Sequence, residues 1–499
     1  MGRLRHSPVL WHAAILYVLF VVPAAIGQDP GAMIPEVSAG PLEPAAKPPP
    51  PPAKAPPNPY HDPFYKNDFR YLDDPNFVSR DPFDVLKRLV PVPGTILDLG
   101  GEYSLRLHNE YNLRLNNRGN DFLLTRTRLY ADLHCGEWFR VYAEAVDSTS
   151  SFERLPPRLG EENRWDSNNL FGDLRAWQDS NGGTLTARVG RQELDYGNQR
   201  LIASAPWTNT RITYDGARAL LASKTWDVDA FWTRLVPLAQ HINNDHDFDQ
   251  SDPKQQLTGL YATRHDRPNE TIDAYFLRLE NRNPVARGGD GVVGGFDANT
   301  VGGRWKGRRD AWLWEAEGAY QFGAYGHDRQ SAGFYVVGVG RQFDAVPTTP
   351  TLWAYYDWAS GDADPTDRRR GTFNQLLPQT HIFLGLGDIV GRQNLRDVNF
   401  QLTARPDPHV TLIAELHLFW LQQARDSLYN NAGVPVRTDS TGRAGSRVGQ
   451  EADFTAQVRL NQHANLLVSY GHFFPGPFLS QTGGSRPADF LYTWLTFKF

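Results

Sequence analysis

The chain has 499 residues and a formal net charge of −5, and 40% of its residues are hydrophobic and 12% aromatic. This composition is too apolar for a disordered chain, yet after the N-terminus no apolar run approaches the roughly 20 residues of a membrane-spanning helix. The mild acidity gives no electrostatic basis for nucleic-acid binding, and the single cysteine, Cys135, excludes an internal disulfide framework.

Residues 1–27 are typical of a secretory signal peptide. Arg3 and Arg5 form a basic start, Val9 to Val22 an apolar stretch, and Ala25-Ile26-Gly27 a cleavage site of small residues. The apolar stretch could also serve as an uncleaved anchor. Because it is short, we expect cleavage instead.

Residues 28–94 are predicted to form a proline-rich periplasmic extension. The run Pro48 to Pro52 favours an extended chain that joins a core poorly, and we interpret it as a spacer. The stretch from Tyr60 to Pro93 is polar and aromatic, with several Asp-Pro pairs. We expect it to be rich in loops, with one short helix at Asp84 to Leu89.

From Thr95 onward apolar and polar residues alternate. In one such segment the apolar residues Val398, Phe400 and Leu402 alternate with Asn399, Gln401 and Thr403. A period of two indicates strands with one apolar and one polar face. Segments of about ten residues exceed the usual strand of a soluble sandwich and fit a transmembrane barrel. The expected fold is therefore all-β: over residues 95–499, a closed transmembrane antiparallel β-barrel of about 18 strands, within a range of 16–20.

Short and long connectors alternate along this region. The short turns are His134–Gly136, Ser180–Gly183, Pro406–His409 and Gln462–His463. The long polar loops are Ser148–Asn169, Pro237–Lys254, Asn281–Asn299, Ser360–Gln379 and Gln423–Gln450. This alternation is typical of outer-membrane barrels, which have short periplasmic turns and long extracellular loops.

The last segment of the chain supports the same interpretation. Leu491, Leu495, Phe497 and Phe499 share one face of a strand. This pattern resembles the terminal strand by which the barrel-insertion machinery recognises bacterial outer-membrane proteins, so we expect recognition through Phe499.

Arginine outnumbers lysine 43 to 8, and many arginines fall on strand-like segments of the first third. These are Arg106, Arg114, Arg126, Arg128, Arg140, Arg188 and Arg218. A lipid-facing arginine at the bilayer midplane costs about 2–4 kcal/mol, so most of them should face the lumen. Acidic residues such as Glu144 and Glu415 share that face. Either these charges pair across a structural or plugged lumen, or the arginines form a constriction that attracts an anion.

The segment from Leu185 to Leu221 is the most distinctive of the chain. The run Gly190-Arg191-Gln192-Glu193-Leu194 is followed by Trp207 and then by Asp215-Gly216-Ala217-Arg218. In this order and spacing the segment resembles the alginate export family of outer-membrane porins. The earlier run Asp121 to Leu129 is similar to that family's second strand. The resemblance is strongest over residues 100–235 and by layout extends from about 95 to 499.

The resemblance implies an 18-stranded barrel of the bacterial outer membrane. Such a barrel passes an anionic polysaccharide, such as alginate, through an electropositive pore by passive, charge-selective export. Matching positions place Arg126, Arg128, Arg175, Arg191 and Arg218 at the pore wall, and Glu144 and Glu193 complete the candidate pore-lining set. Arg191 and Arg188 have opposite parity, so both can face inward only with a bulge at Gly190.

The partners expected from this resemblance are the polysaccharide, outer-membrane lipid and lipopolysaccharide, and a periplasmic export partner. No cofactor, metal or nucleic acid is expected. The proline-rich extension is extra to the family, so the residue pattern favours an anion more strongly than a uronate polymer in particular.

Three other functions stay open. The first is a general or oligosaccharide-selective solute porin on the same fold. The second is a barrel enzyme such as an outer-membrane lipase, which would need a pair like Ser469 and His472 but has no evident acidic partner. The third is a secreted adhesin. Because the chain has no nucleophile motif of the Gly-x-Ser-x-Gly type, we expect no catalytic activity.

Overall fold

The computed structural model describes residues 58–79, 81–238, 248–484 and 486–499. The predicted signal peptide of residues 1–27 and the proline run from Pro48 to Pro52 lie outside these ranges. Within the described ranges, no helix is both long and apolar enough to cross a membrane.

Eighteen antiparallel strands form one closed barrel, which confirms the predicted fold class and strand number. Each strand pairs with the next along the chain, and the first pairs with the last, where Glu102 lies opposite Lys498. The strands are β1 (Thr95–Tyr111), β2 (Gly119–Cys135), β3 (Phe139–Ser151), β4 (Asn163–Gln178), β5 (Thr184–Gln192), β6 (Thr213–Ala222), β7 (Trp226–Val236), β8 (Gln255–Arg264), β9 (Glu270–Arg287), β10 (Val293–Arg309), β11 (Trp312–Tyr325), β12 (Asp328–Gln342), β13 (Thr351–Ala359), β14 (Leu395–Asp407), β15 (Val410–Leu421), β16 (Arg447–Arg459), β17 (Ala464–Pro475) and β18 (Ala488–Lys498).

Smaller elements of secondary structure lie within the connectors. The two-residue strand Arg369–Arg370 pairs in parallel with β12. A hairpin of Ser427–Tyr429 and Pro435–Thr438 lies between β15 and β16. The helix α1 (Pro477–Thr482) connects β17 to β18.

The period of two in the sequence becomes an inner and an outer face. In β2, Leu124, Arg126 and Arg128 are buried toward the interior, whereas Leu129 on the other face is exposed. The large apolar side chains exposed on the outer surface include Tyr103, Leu107, Leu129, Val189, Leu260, Val301, Tyr335, Val337, Val339, Phe400 and Leu416. An apolar outer belt around a polar interior is the pattern of a transmembrane barrel.

The outer belt supplies a direct test of the lipid-facing assignment. Val337 points outward from β12 and is 49% exposed. We expect Val337→Arg to lower the free energy of unfolding in lipid vesicles by about 2–4 kcal/mol, because the guanidinium group must enter hydrocarbon. Val434→Arg is the matched control, since Val434 is similarly exposed, at 52%, but lies in the loop between β15 and β16. A urea titration that gave both variants the same stability would contradict the assignment.

The connectors separate the barrel into a turn end and a loop end. All four predicted short turns lie at the turn end, where the first strand begins. The predicted long loop Asn281–Asn299 is wrong, because β9 continues to Arg287 and β10 already begins at Val293. Polar and apolar residues do not alternate regularly in these strand ends, and the ion pair of Arg278 and Asp297 at 2.8 Å joins the two strands. The pairing therefore continues where the alternating pattern stops.

Two connectors at the loop end fold into the barrel. They are residues 193–212, between β5 and β6, and residues 360–394, between β13 and β14, which we call the inward loops. A parallel bridge between Ile202 and Leu377 joins them. Their buried apolar side chains belong to the main core cluster: Leu194, Leu201, Ile202, Phe373, Leu376, Leu384, Ile389 and Val390. The inward loops thus build a core inside the barrel.

At the turn end, residues 58–79 pack against the barrel interior, and residues 81–94 run along the edge of β1, where Leu89 pairs with Leu97. We call both stretches together the N-terminal segment. The segment contains the short 3-10 helices Phe64–Lys66, Arg70–Asp73 and Pro82–Leu86. The third of these overlaps the helix predicted at Asp84 to Leu89. The sequence predicts this region as a loop-rich extension but does not indicate where it packs.

Candidate functional site

Arg126 and Arg128 lie next to each other on the inner face of β2, and both are enclosed by partners. The side chain of Arg126 is only 1% exposed. Its guanidinium group donates to Glu102 at 2.7 and 3.0 Å and to the carbonyl oxygen of Thr208, in an inward loop, at 3.0 Å. Arg126 therefore ties β1, β2 and an inward loop together.

Arg128 is the most heavily paired of the predicted pore residues. Its side chain has no exposed surface and contacts three carboxylates: Glu144 at 2.6 Å, Asp62 at 3.1 Å and Glu193 at 3.8 Å. The ring of Phe64 lies 4.3 Å from its guanidinium carbon. Arg128 thus sits where β2, β3, an inward loop and the N-terminal segment meet.

Glu144 and Glu193 are buried beside Arg128 and held by further donors. Glu144 accepts hydrogen bonds from the hydroxyl of Tyr142 at 2.9 Å and from the amides of Asn168 and Asn169 at 2.8 and 3.1 Å. Asn168 also donates to Glu193 at 2.8 Å. Both oxygens of Glu144 are therefore satisfied, as a buried charge requires, whereas Oε2 of Glu193 has no hydrogen-bond partner among the described residues.

Two cations and two carboxylates of this region were not among the predicted site residues. Of the carboxylates, Glu102 lies on β1 and Asp62 in the N-terminal segment. Arg211 lies in an inward loop and contacts Asp62 at 2.5 Å. Lys498 lies on the inner face of β18, where its parity in the alternating pattern could have identified it. For Arg211 and Asp62 no sequence signal exists, because both lie outside the strands.

Together these residues form what we call the central charge cluster. Its four cations are Arg126, Arg128, Arg211 and Lys498, and its four carboxylates are Glu102, Glu144, Glu193 and Asp62. The formal charges balance, so the cluster as it stands is neutral. Of the two interpretations of the interior charges, the structure agrees with the one in which arginines pair with carboxylates of the protein itself.

Arg191 is not brought into the central charge cluster. The pairing of β5 with β4 and β6 is continuous through Gly190, without the register shift that would turn Arg191 inward. Arg191 therefore faces opposite to Arg188 and pairs with Asp215 at 2.9 Å and Asp166 at 3.4 Å.

Arg218 and Arg175 both have inward parity but lie apart from the cluster. Arg218 pairs with Asp229 and also donates to the carbonyl oxygen of Glu193 at 3.4 Å. Arg175 lies near the turn end of β4 and donates to Gln178 at 3.3 Å. The structure thus gathers Arg126, Arg128, Glu144 and Glu193, places Arg218 at the edge of this group, and separates Arg175 and Arg191 from it.

A cavity of about 420 Å³ adjoins the cluster between the N-terminal segment and the inward loops. Cationic groups on its wall are Arg126, Arg211 and Lys498. Carboxylates on its wall are Asp62, Glu193, Asp195 and Glu415. The wall is therefore mixed in charge, with the cations on the side of the central charge cluster.

Aromatic side chains form another part of the cavity wall. Trp207 stacks on His381 at 3.5 Å between ring centres and lies 4.7 Å from Tyr492. Arg106 is held between Trp207 and Trp494, with its guanidinium carbon 4.2 and 4.7 Å from the ring centres. His381 and Arg106 thus cover the faces of Trp207, so the part of the wall suited to a ligand is its guanidinium groups, which match the geometry of a carboxylate.

The residues considered for an enzyme do not form a catalytic pair. Ser469 points into the barrel and bonds Thr455 at 2.8 Å. His472 has the opposite parity on β17 and contacts Asp489 at 2.7 Å. The serine and the histidine therefore lie on different faces of the strand. Across the part of the chain that the structure describes, no group of His, Cys, Asp and Glu side chains is arranged to hold a metal ion.

Comparisons with known proteins give the same architecture. The family model described as alginate export matches residues 95–492. A search of curated proteins finds no match. Among solved structures, OccD3 (OpdP) of Pseudomonas aeruginosa is 11% identical with a TM-score of 0.53, and the alignment covers 80% of this chain and 91% of that one.

Two further structures are similar at the level of the fold. OccAB1 of Acinetobacter baumannii is 10% identical with a TM-score of 0.52, over 80% of this chain and 97% of that one. The outer membrane protein OprD of Pseudomonas aeruginosa is 10% identical with a TM-score of 0.51, over 83% of this chain and 97% of that one. At such low identity these likenesses concern the barrel alone.

Proposed function

Because the chain belongs to the alginate export family of bacterial outer-membrane β-barrels, we propose that it passes an anionic polysaccharide such as alginate through its interior. It is an outer-membrane channel, and the fold is that of channels rather than enzymes. The finer proposal is passive export that selects anions by the arginines of the central charge cluster. Lipid surrounds the apolar belt, and we propose contacts with lipopolysaccharide, the insertion machinery and a periplasmic export partner.

One observation carries the anionic part of the proposal. Arg126, Arg211 and Lys498 border a cavity whose wall also offers the aromatic rings of Trp207 and Trp494. A uronate residue carries a carboxylate, so it matches these cations. Without a polymer, the protein's own carboxylates pair with these cations. During passage, carboxylates of the polymer would take their place as partners of the cations.

Ion selectivity in planar bilayers tests the role of Arg126. We expect Arg126→Gln to lower the ratio of anion to cation permeability several-fold, because it leaves Glu102 without its cation beside the cavity. Glu102→Gln should shift the ratio in the opposite direction. Arg267→Gln is the matched control, since Arg267 lies in a turn and is 57% exposed.

The sign of the two shifts separates charge from structural damage. A mere loosening of the barrel would move both variants in the same direction. Equal permeability ratios for Arg126→Gln, Glu102→Gln and the unaltered protein would remove Arg126 from the selectivity of the channel.

A general or oligosaccharide-selective porin is the second candidate, and the carboxylates Glu193, Asp195 and Glu415 on the same wall favour it. Liposome swelling distinguishes the two functions. We expect faster uptake of a uronate oligosaccharide than of a neutral oligosaccharide of equal length. A faster rate for the neutral sugar would support the general porin.

A further inference from the structure

Asp62 brings a carboxylate into the barrel from outside the barrel strands. It contacts Arg128 at 3.1 Å and Arg211 at 2.5 Å, and it also lines the cavity. Both arginine side chains are buried, whereas the Asp62 side chain is 30% exposed. Asp62 therefore lies at the boundary between the central charge cluster and the cavity.

The other three carboxylates of the cluster are fixed by the barrel. Glu102 and Glu144 lie on strands, and Glu193 directly follows β5. Without Asp62 the cluster would hold four cations and three carboxylates, which leaves one positive charge open toward the cavity. Burial raises the pKa of Asp62, but the guanidinium groups of Arg211 and Arg128 outweigh it and hold the pKa well below the usual carboxyl value. Asp62 is thus an anion that satisfies an anion-binding position.

The first part of the N-terminal segment is held to the barrel by side chains. Among the described residues, 58–79 share no backbone-to-backbone hydrogen bond with a strand. Their apolar contacts are Phe64 on Tyr130 at 5.2 Å and Tyr65 on Tyr142 and Phe171 at 5.6 and 5.5 Å between ring centres. Such a segment can leave its place without breaking the barrel's hydrogen-bond ladder.

The second part of the segment provides the attachment. Leu89 forms a two-way backbone bridge with Leu97 on β1, at 2.8 and 2.9 Å. Phe83 packs on Phe497 and Phe499 at 5.8 and 5.5 Å between ring centres. Movement of residues 58–79 would therefore leave the stretch near β1 in place as a tether.

We propose that Asp62 is a built-in substitute for the ligand: it occupies the position that a carboxylate of the transported saccharide takes, and residues 58–79 form a displaceable plug. This rests on the proposed function, because it assigns the occupant of the same site. A uronate carboxylate that reaches Arg128 and Arg211 replaces Asp62 and releases the plug. The saccharide thereby opens the path that it uses.

Single-channel recording of the full chain tests the plug. We expect Asp62→Asn to raise the fraction of time in the conducting state several-fold, because the amide cannot replace the charge facing Arg128 and Arg211. Asp62→Glu should restore closure, at least in part. Asp68→Asn is the matched control, because Asp68 lies in the same segment but forms its ion pair with the exposed Arg70 instead of with the central charge cluster.

Hydrogen exchange gives a second readout that does not depend on conduction. We expect a uronate oligosaccharide to increase exchange in residues 58–79 of the unaltered protein, whereas a neutral oligosaccharide of equal length should not. In Asp62→Asn the exchange should already be high without ligand. Heat-modified electrophoretic mobility verifies that each variant has a folded barrel.

The outcomes separate this inference from the proposed function. If Arg126→Gln alters ion selectivity while Asp62→Asn changes neither conduction nor exchange, the plug is refuted and the anion channel stands. If Asp62→Asn opens the channel but the uronate and neutral oligosaccharides act alike, the segment is a plug and the ligand class is refuted.

Discussion

Arg128→Met should lower the free energy of unfolding by about 3–5 kcal/mol, the cost of removing one member of a buried ion pair. The side chain of Arg128 has no exposed surface and faces Glu144, Glu193 and Asp62. Without the guanidinium group, these carboxylates would remain together in the interior. A urea titration of the protein in lipid vesicles measures the loss.

A double substitution shows whether charge or volume causes this loss. We expect Arg128→Met combined with Glu144→Gln to recover part of the stability, because one of the carboxylates left without a cation is then neutral. A coupling near zero would mean that Arg128 acts through packing, for example on Phe64. A single variant within 0.5 kcal/mol of the unaltered protein, the range of an ordinary surface change, would contradict the burial of the cluster.

Gly190→Ala should prevent most of the protein from reaching the folded barrel. Gly190 has a φ of +131°, and a Cβ there would lie 2.2 Å from the carbonyl oxygen of Leu170 on β4. Backbone strain of this kind costs on the order of 1–3 kcal/mol, and the clash must also separate β4 from β5. The fraction of heat-modifiable barrel after refolding into vesicles measures the effect.

Gly136→Ala is the control for the strain alone. Gly136 also has a positive φ, of +60°, but no heavy atom lies within 4 Å of its Cβ position. We expect this variant to lose only about 1 kcal/mol. Equal folded fractions for both variants would show that the close approach at Gly190 does not matter.

The barrel could be predicted from the sequence because its signal is local. A strand in a membrane barrel alternates between lipid and lumen, and the sequence from Thr95 to Phe499 carries that alternation in nearly every segment. The exception is informative. Between Asn281 and Asn299 polar and apolar residues do not alternate regularly, although β9 and β10 continue through most of this stretch.

The candidate site could be predicted only in part, because it combines local and distant contacts. Parity alone placed Arg126, Arg128 and Glu144 on the inner face. Parity could not show that a neighbouring strand would supply Glu102 or that Arg128 would meet Asp62, 66 positions away in the chain. Arg191 shows the limit most clearly, because its direction depends on whether a bulge exists at Gly190.

The N-terminal segment was the hardest part to predict. Its polar and aromatic composition indicates loops, and its contacts with Tyr130, Tyr142 and Lys498 join residues that are far apart in the chain. Aromatic residues in such a stretch are an available signal, since Phe64 and Phe69 are almost completely buried. A loop-rich stretch with several large aromatic residues therefore indicates a segment that packs against the barrel.

The attachment of the segment also bears on the order of assembly. Phe83 rests on Phe497 and Phe499, while Leu89 is bridged to Leu97 on β1, so this stretch spans the seam between the first and last strands. This stretch can take its final place only after the first and last strands have paired. Docking of Phe83 would then follow closure of the barrel. Residues 58–79, which precede Phe83 in the chain, would enter the interior only after the barrel has formed.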